Sequence, residues 1–332
     1  MSIQLKTIKN TLALLLTIIG LLIQAPVNAN QAKEVMLGAY LTSLYDVNSD
    51  RGTFSADMWI WSKAKSGEKY DLSKTLEISY LSSQFPHVYS GLSSEKINTN
   101  TQYTQKKIQG TFLHDFNLEN FPFDRQKLKI YFEDSESNLN DLKYVPDPAT
   151  GSDEDIQIDG WIIDKVTLVS GVKEYKTNFG NTSKAEQDNY SRLEFEIELK
   201  RDAPLIFFKI TLGLFAAVLV AMFSTFMPTD SDDIFSARIG LLGGTLLAVV
   251  VNQQFADSKT GETTSVTLID SLHMLGFTTV FLLFIATIIS RMLCERYEKL
   301  PLARKFDRVI FAASTLIFTS VSVKMIVDAV SS

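Results

Sequence analysis

Residues 192–227 read RLEFEIELKRDAPLIFFKITLGLFAAVLVAMFSTFM, and a change of period inside this stretch decides the architecture. Leu193, Phe195, Ile197 and Leu199 alternate with Arg192, Glu194, Glu196, Glu198 and Lys200, the two-residue repeat of a strand with one buried and one wet face. From Leu205 to Met227 the alternation gives way to an apolar run long enough to cross the roughly 30 Å of hydrocarbon in a bilayer. The chain therefore passes from a water-facing β region into a membrane near residue 203.

Toward the N-terminus the same short alternation recurs in Glu34 to Leu44, Phe54 to Trp61, Leu128 to Phe132 and Trp161 to Val169. Turn signals separate these segments: Asp50-Arg51-Gly52, Lys65-Ser66-Gly67, Asn117 to Asn120 and Pro146-Asp147-Pro148. Short strands with frequent turns over residues 30–203 predict an all-β sandwich or barrel. Ahead of it, Lys6 and Lys9 precede an apolar stretch from Thr11 to Ile23 and then Ala25-Pro26-Val27-Asn28-Ala29. This is the pattern of a signal peptide over 1–29, cut after Ala29, which puts the β domain outside the membrane.

Toward the C-terminus three more spans are expected, Ile239 to Phe255, Leu272 to Leu293 and Val309 to Val330, completing an all-α domain of four transmembrane helices over 204–332. The second is unlike the others. It carries Gly240, Gly243, Gly244 and the polar run Asn252-Gln253-Gln254, which lipid tolerates poorly, so it calls for neighbouring helices or water. Arg291, Arg296, Lys299, Arg304, Lys305 and Arg308 crowd the third connection and predict that it is cytoplasmic. The expected location is the inner (plasma) membrane, multi-pass, with the β domain and the C-terminus on the outer side. Lys209 and Lys324 lie near the outer ends of their runs, where their stems snorkel.

Charge divides in the same place. Residues 30–203 carry 20 Lys and Arg against 28 Asp and Glu, whereas residues 204–332 carry 10 against 10. This distribution excludes a single soluble globule and a nucleic-acid binder. One cysteine, Cys294, excludes an internal disulfide. His87, His114 and His273 have no metal-site spacing, and no phosphate loop, nucleophile elbow or Cys/His pair is present, so neither an enzyme nor a cofactor is expected.

Gly110-Thr111-Phe112, followed by Phe121-Pro122-Phe123-Asp124-Arg125-Gln126-Lys127-Leu128, resembles the signature loop of the pentameric ligand-gated ion channels, the Cys-loop receptor superfamily. The flanking positions are not cysteine, as in the bacterial members. Trp59-Ile60-Trp61, Gly160-Trp161, Lys200-Arg201 at the first span, Ala237-Arg238-Ile239-Gly240-Leu241 and the 303–308 segment follow in an order similar to that family over residues 33–330.

The resemblance implies a homopentamer in which the second span lines an axial pore through Gly240, Gly244, Leu247, Val251 and Gln254. Leu247 and Val251 then form the constriction that closes it by dewetting. A register one residue later, exposing Leu241, Thr245, Ala248, Asn252 and Phe255, is favoured by the polar stripe Arg238, Thr245, Asn252; the resemblance favours the first. It also implies a ligand site between subunits, drawn from Trp59, Trp61, Glu133, Asp134, Tyr175, Phe179 and Tyr190. Two tryptophans on one strand face suit an amine, and Glu133-Asp134 suits a cationic ligand.

Asp46, Asp50 and Asp124 are implied near Arg201, where with Phe121, Pro122 and Phe123 they form the gating interface. Acids crowd residues 133–159, and Asp153, Glu154 and Asp155 are the candidate calcium ligands, although a solvated acidic loop is the favoured explanation of them. The expected function is thus a channel subunit opened by a small molecule or ion such as an amine, protons or calcium. Ala237-Arg238 looks like the anion-selective relatives, while Asp232, Asp233 and the acidic exterior favour cations. The alternative is a non-conducting membrane sensor or partner-binding protein of the same architecture.

Overall fold

The computed structural model describes residues 32–65, 70–178, 180, 188–261, 265–295 and 299–331. The expected signal peptide and the candidate ligand residue Phe179 lie outside these. The N-terminal region is built of strands and the C-terminal region of long helices.

Strands β1 (Lys33–Asn48), β2 (Thr53–Lys65), β3 (Leu76–Ser79), β4 (Val88–Asn98), β5 (Thr101–Leu113), β6 (Arg125–Asp134), β7 (Leu142–Pro146), β8 (Gly151–Ser152), β9 (Trp161–Tyr175) and β10 (Asp188–Arg201) form two sheets. The larger runs β4-β5-β2-β1-β7, with β8 also on β1; the smaller runs β3-β6-β10-β9. The alternation that opens 192–200 is retained in β10, where Leu193, Phe195, Ile197 and Leu199 are buried. Phe54, Met58, Ile60 and Phe112 from the larger sheet and Leu128, Ile130, Phe132 and Phe195 from the smaller belong to one apolar core. Each such side chain contributes about 1.5–3 kcal/mol when removed from water. Residues at the alternate positions of β2 and β6 therefore point away from that core.

Four helices follow: α1 (Ala203–Phe223, continued by a 3-10 turn at Ser224–Phe226), α2 (Asp232–Thr260), α3 (Leu268–Glu295) and α4 (Leu300–Ser331). All four are long and apolar enough to cross a bilayer, the layout of a multi-pass membrane protein. They run longer than the apolar segments suggest. α2 begins at Asp232 rather than Ile239 because Ser231 caps it, its Oγ accepting from the Ile234 N–H at 3.3 Å, and Asp232 and Asp233 suit the positive end of the helix dipole. It ends at Thr260 rather than Phe255, on Gly261 with φ 72°, so its 29 residues span roughly 44 Å. α3 starts at Leu268 rather than Leu272 behind a reciprocal cap. The Thr267 N–H donates to Asp270 Oδ2 at 2.9 Å, and the Asp270 N–H donates to Thr267 Oγ1 at 3.1 Å. α4 starts at Leu300, nine residues before the apolar run.

The two regions meet in a small apolar cluster of Leu118, Phe121, Ile210, Ala256 and Ile269. The Leu268 N–H donates across the junction to the Glu119 carbonyl at 2.8 Å, and the Phe123 ring lies 5.2 Å from that of Phe207. The Phe121-Pro122 peptide is cis.

Candidate functional site

Of the expected ligand residues, Glu133, Tyr175 and Tyr190 come together at the far edge of the smaller sheet. Antiparallel register sets Glu133 of β6 opposite Arg192 of β10. The Arg192 Nε–H donates to Glu133 Oε1 at 2.6 Å, and its Nη2 bonds the same oxygen. The Tyr175 hydroxyl donates to Glu133 Oε2 at 3.0 Å. Burial pushes that phenol up from its ordinary value, and the Glu133 carboxylate pushes it further. Tyr190 packs edge-on against Tyr175, ring centroids 5.5 Å apart.

Arg192 changes the chemistry expected here. The alternation places it on the wet face of its strand, yet it is buried, because its guanidinium lies 4.6 Å from the centre of the Tyr131 ring and pairs with Glu133. The charge that Glu133 was to offer a cationic ligand is therefore already compensated within the chain. Tyr131 in turn packs on Tyr80 at 5.3 Å, and Tyr80 holds φ 66°, a left-handed conformation rare for an aromatic residue. Arg192, Tyr131 and Tyr80 escaped the sequence reading; the one available signal was the position of Arg192 opposite an acid.

Asp134 faces elsewhere. Its Oδ1 accepts from the N–H groups of Glu136 and Ser137 at 3.1 and 2.7 Å, holding the turn after β6. It is buried near Tyr70 and Tyr144, whose hydroxyls bond each other at 3.1 Å and are both pushed up mainly by burial.

Trp59 and Trp61 share a face of β2 on the other sheet, pointing away from the core. Trp61 lies on Gly38, where an added Cβ would sit 2.3 Å from its ring, and Trp59 lies on Gly91. The Trp61 indole N–H donates to Asp147 Oδ2 at 2.8 Å, an oxygen that Lys63 Nζ also bonds at 2.6 Å. Burial raises the Asp147 carboxyl, but Lys63, the Ala149 N–H and Trp61 together hold it below the ordinary carboxylate range. The tryptophans stand on β2 of the larger sheet and the Glu133 cluster on β6, β9 and β10 of the smaller, and no contact among the described residues joins the two sets.

At the junction Arg201 pairs with Asp124. Nε donates to Oδ1 at 2.6 Å and Nη2 to Oδ2 at 3.0 Å. Phe121 forms part of this site, with the Arg201 guanidinium 4.9 Å from its ring centre, and Phe123 packs on α1. Asp46 and Asp50 do not pair with Arg201 among the described residues. Asp46 holds φ 54°, and Asp50 packs against Gly261 at the end of α2, where an added Cβ would lie 2.2 Å from its Oδ1.

On α2, Gly240, Gly244, Leu247, Val251 and Gln254 are all exposed, Leu247 at 64%. At 100° per residue they fall on one face, together with exposed Asp233. Arg238 and Thr245 are buried, and Asn252 Oδ1 lies 3.0 Å from His273 Nε2 of α3. The polar stripe thus turns toward α1, α3 and α4. Arg238, 0% exposed, donates from Nη2 to Asp307 Oδ1 of α4 at 3.0 Å and from Nη1 to the Met227 carbonyl at 3.1 Å. Ser290 Oγ of α3 donates to the other Asp307 oxygen at 2.8 Å.

Among the described residues no three His, Cys, Asp or Glu side chains converge as metal ligands. Asp153 instead accepts the Asp155 N–H at 3.0 Å, a turn bond, and Glu154 is exposed beside it. Compared with known proteins, the chain matches no family model and no curated protein.

Proposed function

We propose that the chain is one subunit of a homopentameric ligand-gated ion channel, with its two sheets forming an extracellular β-sandwich and α2 lining the axial pore. The observation that carries this reading is the two-sidedness of α2. Its polar residues Arg238, Thr245 and Asn252 turn inward to partner helices, while the opposite stripe from Gly240 to Gln254 is left uncovered in a single chain. A membrane helix with an uncovered face ending in Gln254 is satisfied by water along a shared axis better than by lipid.

Three further features support it. The tryptophans stand on the larger sheet and the Glu133–Arg192 cluster on the smaller, so a ring of copies would bring one set against the other at each interface. The cleft of about 440 Å³ between α1 and α2, floored by Gly213 and Ala217 of α1 and by Leu241 and Ala248 of α2 beside the pore stripe, suits the close approach of a helix from a neighbouring copy. The Asp124–Arg201 pair sits where movement of the sheets would reach α1. Because Arg238 is buried against Asp307 it adds no positive ring to the pore face, whereas Asp233 adds a negative one, and the pore passes cations. The ligand-facing domain lies outside the plasma membrane and the basic ends of α3 and α4 inside it.

Reconstitution in planar bilayers, with ion-substitution recordings over a panel of pH, Ca²⁺ and amines, tests the proposal. Ligand-dependent unitary currents that reverse near the cation equilibrium potential are expected. A pentamer silent across the whole panel would instead be a non-conducting sensor.

A further inference from the structure

Two acids open α2, Asp232 and Asp233, and a single arginine from another helix treats them differently. We propose that Arg291 of α3 limits the unitary conductance of the pore, by holding Asp232 to the side of the pore mouth and cancelling its charge so that Asp233 alone acts on passing cations. This role rests on the channel proposed above and adds to it a positioning residue that lines no part of the pore.

Arg291 is fixed from three directions. Its Nη1 donates to the Thr229 carbonyl in the turn after α1 at 2.9 Å. Nε and Nη2 donate to the two carboxylate oxygens of Glu295, one turn later on α3, at 3.1 and 2.8 Å. Nη2 also donates to Asp232 Oδ1, and the guanidinium lies 5.6 Å from the centre of the Phe235 ring of α2. Four of the five guanidinium N–H groups are thus engaged. The Arg291 side chain is 12% exposed and that of Asp232 89%. The arginine is therefore the anchored partner, and the aspartate is the one that is held.

At 100° per residue Asp232 stands about 60° around α2 from Leu247, on the shoulder of the exposed stripe, and Asp233 about 40° to the other side, within it. Asp233 is exposed and in no ion pair among the described residues. Asp230, the remaining acid of this turn, is paired separately with Arg304 at 3.6 Å. Arg291, Asp232 and Glu295 together carry one net negative charge; without the arginine they carry two. An ion pair with so exposed a partner stabilises the fold little. Its charge counts for more at the mouth of a pore, where each change is repeated in every subunit around the axis and sets the local concentration of cations.

Single-channel recording from the reconstituted full chain tests this, in symmetrical NaCl at about 0.15 M and at about 0.01 M, where the screening length grows from about 8 to about 30 Å. Arg291→Gln should raise the unitary conductance roughly 1.5- to 2-fold for cations that enter past the start of α2, and less for the opposite direction. The ratio of variant to parent should grow at the lower salt. Arg291→Lys keeps the charge and should stay near the parent. Arg291→Gln combined with Asp232→Asn removes the freed charge and should return to the parent value, a reversal that a merely structural arginine would not produce. An unchanged conductance in Arg291→Gln, or no reversal in the double variant, overturns this role and leaves the channel standing; a silent parent overturns both. If Arg291→Gln does not assemble, Asp232→Asn is compared with Asp233→Asn. A smaller fall in conductance at Asp232 supports the cancellation, and an equal or larger one overturns it.

Discussion

Arg201 grips Asp124 through two hydrogen bonds, while its guanidinium lies 4.0 Å from the ring centre of Trp161. One side chain at the last residue of β10 thus ties together the loop before β6, the start of β9 and the entry to α1. Arg201→Gln leaves the buried Asp124 carboxylate without its partner, a loss of about 3–5 kcal/mol locally. If the chain assembles and conducts as proposed, ligand-evoked current should disappear while size-exclusion chromatography reports an unchanged oligomer. Asp124→Asn should do the same, and the double variant should cost less than the sum of the two. Normal currents from Arg201→Gln would refute coupling through this pair.

The pair inside the membrane behaves differently from a surface bridge. Asp307→Asn leaves Arg238 charged and buried, and thermal melting in detergent should drop by an amount equivalent to about 3–5 kcal/mol. Replacing both at once, Arg238→Met with Asp307→Leu, removes the uncompensated charge and should recover most of the loss. A double variant no more stable than Asp307→Asn alone contradicts this account.

The two faces of α2 predict opposite labelling. In a Cys294→Ser background, Leu247→Cys and Val251→Cys should react with a water-soluble thiol reagent and block the current, and Thr245→Cys should not. Asp233→Asn should lower the cation-to-anion permeability ratio, read as a shift in reversal potential under a salt gradient. Reaction at Thr245→Cys alone would move the pore to the later register.

Trp61 offers a pH probe. The folded state holds the Asp147 carboxyl below its unfolded value, near 3.9. The clamp on Trp61 and Lys63 is therefore fully present above about pH 4 and is lost as pH falls through the lower, folded value. Asp147→Asn should flatten this acid limb in a denaturation series. A limb as steep in the variant as in the parent places the titrating group elsewhere.

Gly38→Ala tests the same corner sterically. Its Cβ would stand 2.3 Å from the Trp61 ring, so the indole must move and give up its bond to Asp147. A red-shifted tryptophan emission and about 1–3 kcal/mol of destabilisation are expected. Unchanged emission and stability would mean that the ring has room to yield.

The period change at 192–227 was enough to foresee both regions, because burial on one strand face and hydrocarbon around a helix leave different signatures in composition. The expected segments correspond to β1, β2, β6, β9 and β10 and leave out β3, β4, β5, β7 and β8; β4 is exposed along its whole length, from Val88 to Asn98, so no buried face imposes alternation on it. Helix ends were set too short because Ser231, Thr267 and Gly261 act through backbone capping, which hydropathy does not register. Arg192 and Arg238 were hardest to place. A charged residue that is buried by a partner from another strand or helix looks, in one dimension, the same as one left in water. Asp307 stands 69 residues beyond Arg238 and Glu133 stands 59 before Arg192.

That separation of 69 residues also bears on how the bundle is made. Arg238 enters the bilayer with α2, but its counter-charge enters only with α4, two helices later in the chain. Until then the first three helices hold an unneutralised guanidinium, which must stay hydrated or reach toward the headgroups. The start of α2 can settle only when synthesis has passed Asp307, so the fourth helix completes the third dimension of the second.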